Sequence, residues 1–339
     1  MGNWLQKQWL QYTAWHILLL PLSWFFGFVT FVRRLLYRAG WLKSFRLSVP
    51  VIVVGNINVG GTGKTPLVIW LVEQLKSEGF NPGIISRGYG GANKKFAEVF
   101  ANSNPAEVGD EPVLIAKRTN SPMFVGADRV TAGQALLKAH PECNVIVSDD
   151  GLQHYRLKRD FEIALVNSNL RFGNQLLLPA GPLREKVAKL QSVDAIVDSG
   201  SADDFGLSLK DGMQSPVFNM QLQGDAFESL GGVEIKQYPS YFSDKSIVAI
   251  AGIGNPERFF SQLSAMGLRF ERKAFTDHHA FTKQDLAQFA DKTILMTEKD
   301  AVKCQLFTTV DAWYLPVTAV LGKSTERSLI TLIMQKLRI

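Results

Sequence analysis

Short apolar runs recur near residues 51, 84, 124, 145, 163 and 195, and each ends at a glycine or a polar residue. Runs of this length between turn residues are typical of strands that are buried on both faces. Patterns of helical spacing separate several of the runs, and strands that alternate with helices build a parallel sheet covered on both sides. The pattern predicts an α/β fold with a doubly wound parallel sheet over residues 47–200.

A second unit is predicted after residue 245. Residues 201–245 are polar and irregular, so we interpret them as a linker with room for two extended strands. From Ser246 the segment IVAIAGIGNPERF again has the order strand, loop and helix, which predicts a smaller α/β domain over 246–339. Its glycines, Gly252 and Gly254, lack the third glycine of a dinucleotide-binding motif, so no second nucleotide is predicted there.

Residues 1–46 have a different pattern, in which a long apolar stretch precedes a basic one. The 16 residues from Ile17 to Val32 carry no charge, and five of the seven tryptophans lie within residues 1–46. As a helix the stretch would reach about 24 Å, short of the roughly 30 Å hydrocarbon core of a bilayer. Pro21 and Gly27 weaken it further as a straight span. We predict a membrane-associated helix in the cytoplasmic leaflet; a buried core helix and a single transmembrane pass are the alternatives.

The charge distribution supports the same interpretation. The chain has a net charge of +6, and residues 1–50 hold six basic residues and no acidic one, while the rest carries 31 of each. A nucleic-acid-binding surface would spread over a folded domain, so no nucleic-acid partner is predicted, whereas an anionic membrane surface is. The two cysteines, Cys143 and Cys304, have neither metal-binding nor disulfide spacing, which indicates a reducing compartment.

The strongest chemical signal follows the first strand, in GNINVGGTGKT. Glycines let backbone amides converge on phosphate oxygens, and the N-terminus of the next helix favours an anion at the same place. In such a loop Lys64 reaches the β- and γ-phosphates, and Thr65 offers its hydroxyl to Mg²⁺. Asn58 replaces a glycine of the strict motif, a mild departure because asparagine tolerates left-handed backbone angles. The predicted nucleotide-binding residues are Asn58, Gly60, Gly61, Thr62, Gly63, Lys64 and Thr65.

Two acidic loops offer further chemistry. NVIVSDDG is an apolar strand that ends in Asp149 and Asp150, and an aspartate at this place in a P-loop enzyme holds Mg²⁺ directly or through water. Asp110, in VGDEP, is either a general base beside the nucleotide or an acid that complements a helix dipole. In the segment TEKD, Glu298 stands where a guanine-reading motif has lysine, so we expect ATP and not GTP.

Several motifs occur together in one order: VGNINVGGTGKTP, SRGYGG, VGDEP, GADR, SDDGLQH, PAGPLRE, FTDHH and MTEKD. With the basic, aromatic N-terminus they resemble the tetraacyldisaccharide 4′-kinases, or lipid A 4′-kinases, of Gram-negative bacteria, from about residue 15 to the end. Members of that family lie on the cytoplasmic face of the inner membrane. They transfer the γ-phosphate of ATP to the 4′-hydroxyl of a tetraacylated glucosamine disaccharide 1-phosphate. The resemblance implies ATP and Mg²⁺ as cofactors and a lipid disaccharide as substrate.

The resemblance also implies roles for individual residues. Asp110 would be the catalytic base, with His278 of FTDHH as its partner from the second domain, although an exchange of roles with His279 stays open. The residues that would handle ATP and Mg²⁺ are Lys64, Thr65 and one or both of Asp149 and Asp150. The candidates on the substrate or phosphate side are Tyr89, Arg129, Gln153, Arg184 and Glu185.

The main rival is a membrane-associated P-loop ATPase of the partitioning or targeting kind, in which hydrolysis drives a conformational switch. It would share the glycine-rich loop and the basic anchor. However, Val59 stands in place of the signature lysine of that class, and a switch does not require the loops that hold Asp110 and His278. A soluble small-molecule kinase whose N-terminal helix belongs to the core is a third hypothesis. The sequence predicts no oligomeric state.

Overall fold

The computed structural model describes residues 8–9, 14–88, 91, 96–168, 172–200, 215–231, 235–305, 307 and 311–337. Its strands are β1 (Val51–Gly55), β2 (Pro82–Ser86), β3 (Ala97–Glu98), β4 (Met123–Val125), β5 (Val145–Asp149), β6 (Phe161–Val166), β7 (Ala195–Asp198), β8 (Val217–Gln223), β9 (Phe227–Ser229), β10 (Lys236–Gln237), β11 (Ile247–Ala251), β12 (Glu271–Ala274), β13 (Thr293–Thr297), β14 (Ala312–Leu315) and β15 (Thr318–Leu321). Its helices are α1 (Ala14–Arg38), α2 (Lys64–Ser77), α3 (Pro105–Val108), α4 (Asp110–Thr119), α5 (Arg129–Ala139), α6 (Pro256–Ala265), α7 (Lys283–Ala287), α8 (Glu298–Cys304) and α9 (Lys323–Leu337). Short 3₁₀ helices cover Val187–Ser192 and Pro239–Phe242.

Nine strands form the larger sheet, in the order β15-β8-β7-β6-β1-β5-β2-β4-β3. The strands from β8 to β4 in this order run parallel, whereas the edge strands β15 and β3 are antiparallel to their neighbours. Strand β1 lies in the middle, with Val54 opposite Asp149 of β5 and Ile163 of β6. The carboxyl ends of β1, β2 and β5 therefore open at one edge, where ligands bind in sheets of this kind.

Alternating side chains of the central strands supply an apolar layer on each face of this sheet. Ile52 and Val54 of β1 join the layer that contains the apolar residues of α2, α4 and α9, and Val51 and Val53 join the layer that contains those of α5. All four side chains are at most 1% exposed. Helices on both faces of a mainly parallel sheet confirm the doubly wound α/β fold.

A smaller sheet has the order β10-β9-β14-β13-β11-β12, with its last four strands parallel and β9 and β10 antiparallel. Its core is rich in aromatic side chains. Phe227, Phe242 and Phe260 are at most 1% exposed, and the rings of Phe227 and Phe242 lie 4.9 Å apart. This sheet with its helices is the second, smaller α/β unit.

Each of the two units is built from separate stretches of the chain. This corrects the predicted linear division into 47–200, 201–245 and 246–339. Within the predicted linker, β8 extends the larger sheet and β9 and β10 belong to the smaller one; residues 201–214 lie outside the described residues. After β14 the chain returns to the larger sheet as β15, and α9 packs on its core. Strands β8 and β15 bury alternate side chains only, so their apolar signal in the sequence is weak.

Most of the apolar surface of α1 faces solvent. Its exposed side chains include Leu18, Trp24, Phe25, Phe28 and Phe31. A narrow strip attaches the helix to the protein, since the Ser23 hydroxyl donates to the Leu177 carbonyl at 2.8 Å and accepts from the Ala180 amide at 2.9 Å. A helix that belonged to the core would bury these apolar side chains, so the core-helix alternative is wrong.

Helix α1 also has the length and composition of a membrane-associated element. It continues through Pro21 without a break. Residues 15–38 have a mean hydropathy of 1.7 in their most apolar window, of which 11% is buried. It is the one helix in the described part of the chain that is long and apolar enough to cross a bilayer.

The packing of α9 on the larger unit predicts a stability effect. Ile333 is fully buried in the core layer that α9 shares with α2. We expect Ile333→Ala to lower the free energy of unfolding by about 2–5 kcal/mol, measured by urea unfolding of the full chain. Gln335→Ala, at an exposed position of the same helix, should change it by less than about 0.5 kcal/mol. An Ile333→Ala protein as stable as its parent would show that α9 does not belong to this core.

Candidate active site

A cavity of about 850 Å³ lies where the carboxyl edge of the larger sheet meets the smaller unit. The larger unit contributes the loop after β1 and the start of α2. The smaller unit contributes residues from the segments 253–262, 277–278 and 297–299. Helix α1 contributes Phe26, Thr30 and Arg33. The predicted nucleotide loop and the apolar helix therefore border one space.

The loop before α2 has the form of an anion-binding site. Gly60 and Gly63 have φ angles of 124° and 97°, which residues with side chains rarely adopt. Gly63 is the N-cap of α2 and no side chain caps the helix, so its first amides keep free hydrogen-bonding capacity. The amides of Gly61 and Gly63 donate to no backbone acceptor within the described residues. Backbone donors and a helix N-terminus therefore meet at the cavity wall, an arrangement that binds phosphate.

Lys64 is held at this wall by two oxygen atoms. Its Nζ donates to Asn56 Oδ1 at 3.3 Å and lies 3.7 Å from Asp150 Oδ1. Asn56 Nδ2 in turn donates to the Thr62 hydroxyl at 3.2 Å, so the buried amide fixes the loop internally. Thr65 lines the same wall. The ammonium group is therefore positioned between the loop and the acidic end of β5.

The two acids at the end of β5 have different surroundings. Asp150 lines the cavity and accepts two hydrogen bonds from Arg184, both 2.9 Å long. Asp149 is 2% exposed and accepts a hydrogen bond from the Ser86 hydroxyl at 2.9 Å. Of the two adjacent acids, Asp150 is thus the one that faces the cavity.

These surroundings shift the two pKa values in opposite directions. Burial, and then the nearby carboxylates of Glu111 and Asp150, raise the pKa of Asp149 to about 7. Burial would also raise the pKa of Asp150, but the positive charges of Lys64 and Arg184 outweigh it and lower that pKa. At Asp149, burial and the neighbouring carboxylates therefore outweigh the positive charge of Lys64.

This environment fits a divalent cation. Oδ1 of Asp149 is buried and accepts no hydrogen bond from the described part of the chain, so it is available as a ligand. Thr65 and the adjacent Asp150 line the cavity. Among the described residues, no three His, Cys, Asp or Glu side chains form a metal cluster. The unpartnered Asp149 oxygen and the Asp150 carboxylate suit Mg²⁺, which binds through one or two carboxylates and substrate phosphates.

Asp110 and His278 meet across the two units. Asp110 is the first residue of α4, and Gly109 before it has a φ of 97°. His278 Nδ1 lies 3.0 and 3.1 Å from the two carboxylate oxygens of Asp110, and His278 itself has a φ of 56°. Such backbone strain in a residue with a side chain is typical of functional sites. Asp110 is 4% exposed and adjoins the cavity through His278 and Lys299, which line it.

Two lysines of α8 surround this pair. Lys299 Nζ and Lys303 Nζ lie 4.0 and 3.9 Å from Asp110 Oδ2. Burial would raise the pKa of Asp110, but the hydrogen bond with His278 and the two ammonium charges outweigh it and lower that pKa. The hydrogen bond with Asp110 raises the pKa of His278 against the effect of burial. The Asp110 carboxyl is therefore ionised at neutral pH, although it is buried.

The neighbouring histidine has a different environment. His279 Nε2 lies 3.3 Å from Asp285 Oδ2. Its ring packs against Phe275 and Phe281, with ring centroids 4.7 and 4.9 Å apart. The structure thus brings His278, and not His279, to Asp110.

Three of the substrate-side candidates share one wall of the cavity. Gln153 Nε2 donates to Glu185 Oε1 at 3.0 Å and to the Asn56 carbonyl at 3.1 Å. Glu185 Oε2 also accepts a hydrogen bond from the Tyr155 hydroxyl at 2.5 Å. Gln153, Arg184 and Glu185 all line the cavity. This network joins the nucleotide loop to the loop that carries Arg184.

Two other predicted site residues, Arg129 and Asn58, do not line the cavity. Arg129 is buried and donates to the carbonyls of Ala127 and Asp150, so it supports the loop that carries Asp150. Asn58 is also buried and forms a β-bridge with Leu183. Tyr89 lies outside the described residues.

Sequence motifs do not identify the groups that join the two units. Arg118 of α4 donates to both carboxylate oxygens of Glu298 at 2.8 and 2.9 Å, and Lys299 pairs with Glu111 at 2.9 Å. The spacing of Lys299 and Lys303 was a usable signal, since residues four apart share one face of a helix. The sequence does not show that this face contacts Asp110, because the contact depends on tertiary packing.

The fold and the site define a P-loop nucleotide-binding protein whose phosphate site borders a carboxylate–imidazole pair. A family model described as tetraacyldisaccharide-1-P 4′-kinase matches residues 15–338. The chain belongs to this family, which confirms the resemblance recognised in the sequence.

Relatives and a solved structure agree with this assignment. The tetraacyldisaccharide 4′-kinase of Methylobacillus flagellatus is 46% identical over 338 residues, which cover 99% of this chain and 98% of that protein. The protein of the same name from an Azoarcus species is 49% identical over 314 residues, with 93% and 91% covered. A crystal structure of LpxK from Aquifex aeolicus in complex with ATP superposes with a TM-score of 0.79 at 29% identity, covering 96% of this chain and 100% of that chain.

The contact between Asp110 and His278 predicts a shifted histidine titration. We expect His278, followed by NMR in the full chain, to titrate above its ordinary pKa of 6.5 because its protonated form is hydrogen-bonded to Asp110. Asp110→Asn should lower that pKa. His140, whose pKa is raised by Glu98, is the internal control and should not change. A His278 titration that Asp110→Asn leaves unmoved would contradict the contact.

Proposed function

We propose that this protein transfers the γ-phosphate of ATP to the 4′-hydroxyl of a tetraacylated glucosamine disaccharide 1-phosphate, a step of lipid A biosynthesis. One observation carries the proposal: the Asp110–His278 pair adjoins the same cavity as the phosphate-binding loop with Lys64. A phosphate donor site and a proton acceptor beside one cavity are what phosphoryl transfer to a hydroxyl requires. The names of the relatives indicate a tetraacylated disaccharide as the acceptor, and the ATP complex of LpxK indicates ATP as the donor.

On the donor side, the residues of this chain position ATP and neutralise its charge. The free amides of the loop and of the α2 N-terminus bind phosphate oxygens, and Lys64 reaches the β- and γ-phosphates. In phosphoryl transfer the negative charge is spread over the oxygens of the transferred group. Fixed positive charges stabilise this transition state, and no covalent intermediate with the protein is needed. Thr65 and one or both of Asp149 and Asp150 would hold Mg²⁺, which would supply further positive charge.

On the acceptor side, Asp110 takes the proton of the 4′-hydroxyl. Its lowered pKa keeps it ionised, and the hydrogen bond with His278 orients it. A general base contributes about 10²–10⁴-fold to such a reaction. Because Asp110 is buried and its partner belongs to the other unit, we expect the acceptor to reach it through a movement of the two units.

Helix α1 brings this chemistry to a lipid. Its exposed apolar side chains suit the acyl region of a bilayer, and its arginines suit anionic headgroups. Phe26, Thr30 and Arg33 of the same helix line the cavity, so a lipid can present its sugar while its acyl chains stay in the membrane. Since ATP is cytoplasmic, the protein lies on the cytoplasmic face of the inner membrane as a peripheral or monotopic enzyme.

Transfer of label tests the proposal. The full chain is incubated with Mg²⁺, ATP labelled in the γ-phosphate and the lipid disaccharide, and an acceptor that lacks the 4′-hydroxyl is the control. We expect label on the disaccharide and none on the control acceptor. Label found only as free phosphate would contradict the proposal and favour the switch ATPase.

The proposed role of Asp110 predicts that Asp110→Asn lowers turnover, although the new side chain has nearly the same shape. We expect turnover to fall about 10²–10⁴-fold, the usual contribution of a general base, while ATP affinity measured by calorimetry survives. Lys64→Ala should instead weaken ATP binding. The matched control is Glu107→Gln, which neutralises an exposed acid in the preceding helix α3 and should keep full turnover. Near-normal turnover of Asp110→Asn would leave Asp110 as an acid that complements the helix dipole.

The exposed face of α1 predicts membrane binding that depends on apolar area. Phe25→Ser with Phe28→Ser removes two exposed rings, each of which contributes about 1.5–3 kcal/mol when fully buried. We expect vesicle binding, measured by co-sedimentation, to fall at least about tenfold. Phe96→Ser with Phe100→Ser changes two exposed rings that flank β3 and should bind as the parent does. Equal binding of both double variants would contradict attachment through α1.

A further inference from the structure

A second, smaller pocket lies at the C-terminal end of α1. Its volume is about 290 Å³, just below the usual range for ligand sites, about 300–1,000 Å³. The lining is formed by Arg34, Tyr37, Arg38, Ser44, Tyr155, Lys189 and Ser192. No carboxylate belongs to this lining. The pocket therefore suits an anion with a small polar group attached, and it is too small for a nucleotide or a disaccharide.

The positive charge of this pocket is only partly compensated. Lys189 Nζ pairs with Glu162 at 2.7 Å. Arg34 and Arg38 form no ion pair with any residue in the described ranges. They lie one helical turn apart, so their side chains share one face of α1. Two guanidinium groups beside one polar pocket match the several acceptor oxygens of a phosphate ester.

Tyr155 separates this pocket from the larger cavity, because it lines both. Its hydroxyl donates to Glu185 on the side of the larger cavity. Its ring lies 6.1 Å from the ring of Tyr37 and 5.9 Å from Lys189 Nζ, on the side of the pocket. Tyr155 therefore lies between this pocket and the part of the larger cavity that contains Glu185.

The position of the pocket on α1 indicates where its ligand comes from. Leu35, next to Arg34, is 53% exposed, and Trp41, just after the helix, is 81% exposed. Exposed tryptophans of membrane proteins lie at the level of the headgroups. When the apolar face of α1 lies in a bilayer, Arg34 and Arg38 are therefore at the depth of lipid phosphates.

From this placement we propose that the pocket binds the headgroup phosphate of an anionic glycerophospholipid of the bilayer, a lipid other than the substrate. The proposal rests on the membrane attachment through α1 proposed above, and it does not depend on the identity of the phosphate acceptor.

Vesicle binding of the full chain tests the proposal. The probe is phosphatidylcholine vesicles with and without about one-fifth phosphatidylglycerol. Each basic residue near an anionic surface contributes roughly a fivefold factor, so Arg34→Gln with Arg38→Gln should weaken binding to the anionic vesicles about 25-fold. Binding to vesicles of phosphatidylcholine alone should not change.

Two further variants separate a pocket from diffuse attraction. Lys43→Gln with Lys158→Gln removes two exposed charges outside the pocket and should weaken binding less than the arginine variant does, because these two residues contribute surface attraction alone. Ser192→Leu narrows the pocket without changing the charge, and it should reduce the preference for phosphatidylglycerol as strongly as the arginine variant does. Equal losses for both charge variants, or a Ser192→Leu protein that binds as the parent does, would overturn the proposal.

A kinetic measurement separates the bilayer lipid from the substrate. With the disaccharide 1-phosphate in neutral detergent micelles that contain no phospholipid, Arg34→Gln with Arg38→Gln should leave the KM for the disaccharide unchanged. A KM about tenfold higher would assign the pocket to the phosphate of the acceptor itself and overturn the proposal. If the parent protein transfers no phosphate at all, the proposed function fails, and the vesicle measurements still decide the pocket.

Discussion

The contact between the Asp110 carboxylate and the His278 imidazole is the interaction on which the site depends, because its two members come from different sheets. Each side is prepared for it. Gly109 turns the chain into α4 with a φ of 97°, and His278 keeps a φ of 56°. Lys299 and Lys303 bring positive charge to within 4.0 Å of a carboxylate that is only 4% exposed. Burial would raise the pKa of this carboxyl, but the hydrogen bond with His278 and the charges of the two lysines lower it, so the carboxyl stays ionised.

The rest of the structure brings three chemical environments to this contact. The loop after β1 supplies an anion-binding site at the carboxyl edge of the larger sheet. Arg118 with Glu298, and Lys299 with Glu111, hold the smaller unit against α4. Helix α1 reaches the same cavity from its apolar, exposed surface. The phosphate-binding loop, the Asp110–His278 pair and the apolar helix thus border one space. In the function proposed above, this is where the phosphate donor, the proton acceptor and the lipid meet.

The sequence predicts those parts of the fold and site whose signal is local. The buried central strands, the phosphate-binding loop and the apolar character of α1 each follow from a continuous stretch of residues. Strands β8 and β15 do not, because they bury alternate residues only and so have weak apolar patterns, and β15 joins a sheet from which it is distant in sequence. The role of Lys299 and Lys303 is not predicted for a related reason. Two lysines on a short helix are usually solvated, and only the packing of α8 against α4 brings them to Asp110. Arg129 shows the opposite case: its place after a predicted strand suits a phosphate, but at the start of α5 it donates to backbone carbonyls and supports the Asp150 loop.

A double-mutant cycle on the phosphoryl-transfer step tests the central claim most directly. Asp110→Asn, His278→Ala and the double variant are compared in single-turnover reactions with ATP and the lipid disaccharide at saturating concentrations. If the two side chains act as one unit, the double variant is about as slow as Asp110→Asn alone, because the second substitution removes an interaction already lost. Losses that multiply, so that each side chain contributes independently of the other, would contradict the account.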